Sequence, residues 1–395
     1  MAVTLITVPD DISMARSPIF YRVQTDKDVS TTGLYLKAVL ELTDTATEIT
    51  TLVCYPDADG YAVFYLDALM VKSLSDSPIP AFNTGTWFTS TRCREFTLYF
   101  SDPDDSDLSP TPIESSIRAF NGGIPKKQFG KIINPLLNTI PRKYFLTARD
   151  GKKVFMTADQ IAWWTIFHAD DEGWTIQVRF RMYFRNYSEE YVDQIMTYDT
   201  MIAFDQLDVP VGPRNSGILD FIPTGATLLK YEVSVVSGSP GWGYYPYTIY
   251  IDEFRYKPRD FVFINFMGGM EFLRCHGDSE MSVDVANVTA DKFVGYNEYD
   301  TIDFADRLII SSGERGSEKL NLGWQQLDDI GIARDFFASR SKYFVDYELE
   351  RLIPVTVKSG SVVLGRKNET LHALEFEIEY LFDDGLHNFN NAFMQ

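Results

Sequence analysis

Trp174-Thr-Ile-Gln-Val-Arg-Phe-Arg-Met-Tyr-Phe-Arg185 alternates apolar and polar residues at a period of two. Trp174, Ile176, Val178, Phe180, Met182 and Phe184 fall on one face, and Thr175, Gln177, Arg179, Arg181, Tyr183 and Arg185 on the other. That period predicts a long strand with one face in a core and one in solvent. The pattern recurs in Leu374, Phe376, Ile378, Tyr380 and Phe382, interleaved with Glu375, Glu377 and Glu379. Shorter stripes are Leu229/Tyr231/Val233/Val235, Tyr247/Ile249/Ile251 and Ile353/Val355/Val357. Asp59-Gly60, Asp150-Gly151 and Asp384-Gly385 supply the positive φ that hairpin turns need. The aromatic content of 14%, from 29 Phe, 22 Tyr and 6 Trp, points the same way, because rings and β-branched side chains suit pleated surfaces.

Helices are expected to be few and short. Thr157 and Gln160 form a capping-box pattern ahead of Ile161, Trp164 and Phe167, which predicts one helix of two or three turns with Trp164 on its buried face. A second is predicted between Trp324 and Arg340, where Leu327, Ile330, Ala333 and Phe336 recur every three residues around Gly331. Tyr191–Phe204 fits either a helix or a strand. The expected fold is therefore mainly β: two or three β-sandwich-like domains in tandem with a few short helices. The acidic, proline-bearing segment Ser101–Pro112 reads as a linker. It separates a β-sandwich domain over 13–100, preceded by an N-terminal arm over 1–12, from a second β-rich domain over 113–258. A third β-rich domain follows over 259–395, with one helix near 325–340.

Composition narrows the function. The 395 residues carry 36 Lys+Arg against 56 Asp+Glu, a net charge of −20 that argues against coating nucleic acid. No apolar run reaches the ~18–20 residues of a membrane helix, so no membrane partner is expected. Met1-Ala-Val-Thr-Leu-Ile6 lacks a basic region and Asp10-Asp11 follow, so no export leader is expected. Cys54, Cys93 and Cys275 are too few and scattered for a disulfide framework or a zinc site. One basic stretch stands out between Glu114 and Asp150, with Arg118, Lys126, Lys127, Lys131, Arg142, Lys143 and Arg149. It reads as a docking patch for an acidic neighbour, as a nucleic-acid contact, or as a solvated face.

No reactive constellation is evident. The chain has no GxSxG, GxxxxGK[ST], HExxH or CxxC motif. Cys275 and His276 are neighbours, but adjacent strand residues point to opposite faces, so a buried thiol and a partly exposed imidazole are expected. Asp102, Asp104, Asp105 and Asp107 lack the glycine and glutamate of a calcium loop, and Asp57-Ala-Asp59-Gly60 fails similarly. Phe266-Met-Gly-Gly-Met270 reads as a tight turn or bulge rather than a phosphate loop. Glu189, Glu190, Asp328 and Asp329 are candidate carboxylates for a glycoside hydrolase, and only their spatial separation would decide. Trp163-Trp164 could stack on sugars, with core packing as the simpler reading for Trp164. Trp242, Tyr244 and Tyr245 lie in a Gly/Ser/Pro loop and are the candidate contact surface for a subunit or a glycan. No catalytic, cofactor-binding or metal-binding residue, and no cofactor, is assigned.

Several segments together resemble a family of poorly characterised proteins from phages and prophages of Bacteroidota-type bacteria, of tail or baseplate type. They are Asp59-Gly-Tyr-Ala-Val-Phe-Tyr-Leu-Asp67, Phe120-Asn-Gly-Gly-Ile124, Lys143-Tyr-Phe-Leu-Thr147, Val209-Pro-Val-Gly212, Phe261-Val-Phe-Ile-Asn-Phe-Met-Gly-Gly-Met-Glu-Phe272, Arg334-Asp-Phe-Phe-Ala-Ser339 and Ile353-Pro-Val355. The resemblance implies a virion structural protein made in the host cytoplasm, assembling as a homo-oligomeric ring or trimer with other tail proteins. It transfers no catalytic residue. The alternative is a carbohydrate- or receptor-binding module contacting a host glycan; a glycoside hydrolase ranks behind it. Free thiols fit the reducing compartment of such assembly.

Overall fold

The computed structural model describes residues 3–27, 34–74, 82, 88–90, 93–102, 113–123, 145–147, 149, 153–167, 174–187, 189–201, 206–237, 246–253, 257–291, 307–326, 330–358 and 371–381. The protein is mainly β, with several separate sheets. The first strands are β1 (Thr4–Thr7), β2 (Ile12–Met14), β3 (Phe20–Gln24), β4 (Leu36–Leu42), β5 (Thr47–Cys54) and β6 (Tyr61–Tyr65). After helix α1 (Asp67–Ser73) come β7 (Phe88–Ser90), β8 (Cys93–Ser101) and β9 (Ile113–Phe120). Next follow β10 (Val154–Met156), β11 (Trp163–Phe167), β12 (Trp174–Arg185), β13 (Val192–Met201) and β14 (Gln206–Pro210). Then come β15 (Thr227–Ser237), β16 (Tyr247–Ile251), β17 (Arg259–Ile264), β18 (Met270–Cys275), β19 (Ser279–Asp291) and β20 (Arg307–Gln326). Helix α2 (Ile330–Ala338) precedes β21 (Lys342–Asp346), β22 (Arg351–Val357) and β23 (Leu371–Tyr380).

The chain divides into two compact units, Met1–Glu253 with Phe263–Phe272, and Phe254–Val262 with Leu273–Gln395. The first unit holds two sandwich-like cores. In one, the sheet β2-β9-β8-β4-β5 faces β1-β3-β6, and Tyr21, Val23, Phe64, Leu40, Phe96, Phe100 and Met70 of α1 fill the space between. In the other, the sheet β10-β16-β15-β12-β13 faces β11-β14-β7 across Trp164, Ile166, Val178, Phe180, Tyr231, Val233 and Ile249. Met14, Phe120, Leu146 and Phe167 form a small apolar cluster of their own. Where the sequence suggests a linker at 101–112, β9 returns antiparallel beside β8, with Cys93 opposite Phe120 and Phe100 opposite Ile113. That stretch therefore joins two neighbouring strands of one sheet. The expected arm over 1–12 likewise carries a strand, β1, paired with β3.

The second unit is built on the sheet β18-β17-β21-β22-β23-β20-β19, to which β17 and β18 bring Arg259–Val262 and Leu273–Cys275. Helix α2 packs on it through Phe336, whose ring lies 5.3 Å from Phe261 and 5.8 Å from Phe376. Phe336 and Ala333 are fully buried, while Gly331 meets open space.

The predicted strand at 174–185 forms as β12, and the segments at 247–251, 353–357 and 371–380 also form strands. In the 229–235 stripe the register slips between Tyr183 and Phe184, so Leu228 is buried and Leu229 is exposed. Within Tyr191–Phe204, Val192–Met201 forms the strand β13, and 202–204 lie outside the described residues. The helix expected after Thr157 does not form. Thr157 Oγ1 bonds the Asp159 carboxylate, the chain turns, and residues 163–167 become β11, with all five positions buried. An apolar run buried on both faces carries no period that separates strand from helix, and here its aromatic and β-branched content wins. The second helix is shorter than its pattern, because Trp324–Gln326 stay in β20.

Candidate functional site

Among the strands whose burial is described, four are buried on both faces: β11, β14, β17 beyond Arg259, and β18. Such strands can carry polar residues only if each finds a partner. Glu271 on β18 is fully buried and accepts from Arg149 Nε at 2.9 Å, Trp164 Nε1 and the Phe272 N–H at 3.2 Å, and the Thr147 hydroxyl. The Arg149 guanidinium also lies over the Phe272 ring and donates to the Phe272 carbonyl at 2.7 Å. Asp208 on β14 accepts from Thr165 Oγ1 at 2.5 Å, and that hydroxyl oxygen takes the Met270 N–H at 2.6 Å. In the second unit Asp260 accepts from Arg274 at 2.6 and 2.5 Å and from the Tyr347 hydroxyl at 2.6 Å. Glu318 accepts from Arg259 at 2.7 Å and the Tyr380 hydroxyl at 3.0 Å. Burial first, then the Glu318 charge, pushes the Tyr380 phenol far above its usual range.

These carboxylates are consumed by fixed donors. Each holds two strands or segments in register, and the geometry suits structure rather than proton transfer. Cys275 is buried, and burial together with the Asp260 and Glu318 charges drives its thiol pKa up, the wrong direction for a nucleophile. His276 is partly exposed, as the alternation predicts. Glu189 and Glu190 are exposed; Asp328 and Asp329 lie outside the described residues. Trp163 and Trp164 are both fully buried, which removes them as a sugar platform. Among the described residues no group of three or more His, Cys, Asp and Glu is arranged to hold a metal, and no helix is long and apolar enough to cross a membrane.

Of the predicted interface residues, Trp242, Tyr244, Tyr245, Lys126, Lys127 and Lys131 lie outside the described residues. Two members of the basic stretch are described, and both have partners within the chain: Arg118 meets Glu95 at 3.1 Å and Arg149 meets Glu271. Asp102 of the acidic segment is buried and pairs with Lys27 at 3.1 Å.

The exposed chemistry sits on the outward face of β10-β16-β15-β12-β13. Cross-strand register aligns Phe155, Tyr250, Lys230 and Tyr183 in one row. The next row aligns Thr248, Glu232, Arg181 and Asp193. Phe155 and Tyr250 rings lie 5.6 Å apart, with Lys153 Nζ 5.6 Å from the Tyr250 ring. Lys230 Nζ is 4.2 Å from the Tyr183 ring, and the Arg181 guanidinium is 4.2 Å from the Tyr191 ring. Arg181 grips Asp193 bidentately at 2.8 and 3.0 Å, which holds that carboxyl below its usual range. Partial desolvation first, then Glu232, raises the Tyr183 phenol. Phe155, Ile195 and Tyr191 remain 47%, 43% and 38% exposed. Rings held in place by cations on a rigid sheet give a contact surface that loses little entropy on docking. Sequence reading identified the polar face of β12 but not this array, because its other members come from strands joined only by register.

The fold and this surface define a β-domain protein whose exposed chemistry lies on a sheet face. No family model matches the chain. No curated protein matches it either. Among solved structures, native E. coli alpha-2-macroglobulin shows 9% identity over 81% of this chain and 21% of that one, with a TM-score of 0.20. A Salmonella alpha-2-macroglobulin mutant gives 9% identity over 81% and 25%, also at 0.20. CBD12 from CALX1.2 gives 13% identity over 58% of this chain and 79% of that one, again at 0.20. The chain spans about a fifth to a quarter of the length of the two macroglobulins it matches. At these scores the likenesses carry no argument.

Proposed function

We propose that the chain is a structural component of a phage particle, in its tail, tail tip or baseplate, acting through contacts with its own copies and neighbouring tail proteins. The observation that carries this reading is the outward sheet face: Phe155, Tyr250, Lys230 and Tyr183 in one cross-strand row, beside the Arg181–Asp193 pair. Aromatic residues with arginine are the composition of protein interfaces, and a sheet face suits contact with another folded surface. The buried carboxylates support it from the other side, since their donors commit them to holding strands together. The resemblance of the Gly-Gly and strand segments to phage tail proteins adds the setting.

The test combines mass spectrometry of purified particles with the solution mass of the full chain. The chain is expected in the particles and in an assembly larger than one copy, with Phe155→Ser/Tyr250→Ser weakening that association while leaving the fold intact. Absence from particles together with a monomer at all concentrations overturns the proposal. A second reading, a module for a host glycan, draws on the exposed Phe155–Tyr250 pair, since such rings can stack on sugar faces. A glycan array on which the wild type binds and Tyr250→Ala does not would favour it; wild type binding nothing would remove it.

A further inference from the structure

β5 is the last strand of the sheet β2-β9-β8-β4-β5, and among the described residues it pairs with β4 alone. The chain is described on both sides of it and turns back at once. Residues 43–46 lead in from β4, with the Thr43 N–H donating to the Glu95 carbonyl at 3.1 Å. Beyond β5, Asp57 Oδ1 accepts the Asp59 and Tyr61 N–H groups at 3.0 and 2.9 Å, and the chain enters β6. The chain itself occupies carbonyls of β6: that of Tyr61 takes the Asp57 N–H at 2.7 Å, and that of Val63 the Cys54 thiol at 3.7 Å. β5 is left as the open edge of this sandwich. Its Ile49, Leu52 and Cys54 pack on the core but stay only partly buried, and Val53 and Tyr55 are 53% and 72% exposed. Lysine, proline or an inward charge usually protects such an edge, and Ile49–Tyr55 carries none of them.

Resting on the assembly reading above, we propose that β5 pairs antiparallel with β5 of a second copy about a two-fold axis through Leu52, joining the two sheets into one. Charge selects the occupant. At a net charge of −20 two copies repel over most of their surfaces, whereas an uncharged strand can meet itself. Geometry selects the register. The shift opposite Leu40 and Glu41 leaves Ile49 as an extra, bulged residue, and Pro56 has no N–H to donate, so Thr50–Cys54 is the regular segment. An axis through Leu52 aligns that segment with itself. Leu52 then lies beside Leu52 of the other copy, Thr50 faces Cys54, and Thr51 faces Val53. Leu52 and Cys54 gain the cover that the end of the sheet denies them, and Thr51 and Val53 form a β-branched pair on the outer face. The Thr51 hydroxyl already donates to Glu48 of its own strand at 2.7 Å, so its methyl makes the pair. Glu48 of one copy comes level with Pro56 of the other. The two Glu48 carboxylates are then about 27 Å apart at ~3.4 Å per residue, well past the ~8–10 Å reach of charge in salt. Sliding the axis toward Glu48 would bring those carboxylates together and draw the bulge into the contact.

Cross-linking of the full chain tests both contact and register. Thr51→Cys mixed with Val53→Cys is expected to give a disulfide-linked dimer on mild oxidation, because the two positions face each other across the axis. Either variant alone is expected to link far less, since identical positions lie two residues out of step. Peptide mapping separates the new link from any through Cys54, Cys93 or Cys275. Val53→Lys, which sets a charge on the edge, is expected to weaken self-association roughly tenfold or more, with circular dichroism and thermal melting as the check on its fold. In the unsubstituted chain, maleimide labelling of Cys54 is expected to slow relative to Cys93 as the protein is concentrated. Three results overturn the β5 pairing and leave the assembly reading standing: assembly unaffected by Val53→Lys, a mixture that links no better than its components, or a trimer, which a two-fold contact cannot close. A wild type that is monomeric throughout the micromolar range overturns both.

Discussion

Replacing Glu271 with glutamine changes one atom and removes one charge from the interior of the first unit. Oε1 accepts from Arg149, Trp164 and the Phe272 N–H, and Oε2 from Thr147. The glutamine carbonyl at the Oε1 position keeps the three N–H donors, and the Thr147 hydroxyl can turn to accept from the new amide. What is lost is the compensation of Arg149, whose side chain is only 15% exposed. Breaking a buried pair from one side costs about 3–5 kcal/mol, and the residual hydration of Arg149 puts this case near the lower end, about 3 kcal/mol. Arg149→Met should cost about as much, because it leaves the carboxylate in place without its cation. The double variant removes both charges and should cost well below the sum, with a coupling of about 2–3 kcal/mol. Because the chain has two units, the measurement is hydrogen exchange at Phe272 and the other amides of β18 alongside urea unfolding, which resolves local from global stability. Additivity within about 0.5 kcal/mol, or a Glu271→Gln cost under about 1 kcal/mol, would refute the view that this pair fixes the interior.

Gly268 has φ +86° and a Cβ there would run into the Asn121 carbonyl, whereas Gly217 has φ +72° and open space around it. Gly268→Ala should destabilise by about 3 kcal/mol in urea unfolding and Gly217→Ala by only about 1, the backbone cost alone; equal costs would refute the close approach. Asp193 is held below its usual value by Arg181, so the pair's contribution is complete above about pH 4 and is lost as pH falls through the folded value. Asp193→Asn should flatten that acid limb of a stability–pH curve; an unchanged limb counts against the pair. In the folded chain Cys275 should resist maleimide while half-buried Cys54 and Cys93 react, and urea should abolish the difference. Equal native rates at all three thiols would show that Cys275 is accessible.

Legibility in the sequence followed solvent. β12 and β23 each keep one wet face, so their stripes announce them, and α2 shows its period because only one side of it is buried. β11 has no wet face, and Trp163-Trp164-Thr-Ile-Phe167 reads equally as a buried helix turn until its partner β14 is known. Of the two Gly-Gly segments, Phe266–Met270 reads as a tight turn or bulge and Phe120–Ile124 carries no structural reading of its own. Their purpose is close approach: Gly122 meets the Met267 carbonyl, Gly268 meets Asn121, and the Gly123 N–H donates to the Phe266 carbonyl at 2.6 Å. Asn265 completes the turn by accepting the Gly269 N–H at 3.0 Å and donating to the Leu146 carbonyl at 2.7 Å. Two motifs some 145 residues apart were visible separately, but nothing in one dimension says that they touch.

The same division explains where recognition can reside. A strand buried on both faces cannot tolerate an unpaired charge, so Glu271, Asp260 and Asp208 specify partners inside the chain. Each rejects the neighbouring register, because a slip of one residue would send the carboxylate to the opposite face, away from its donors. Exposed charges, by contrast, sit on surfaces the interior does not use, Glu189 and Glu190 and the outward face of β12 among them.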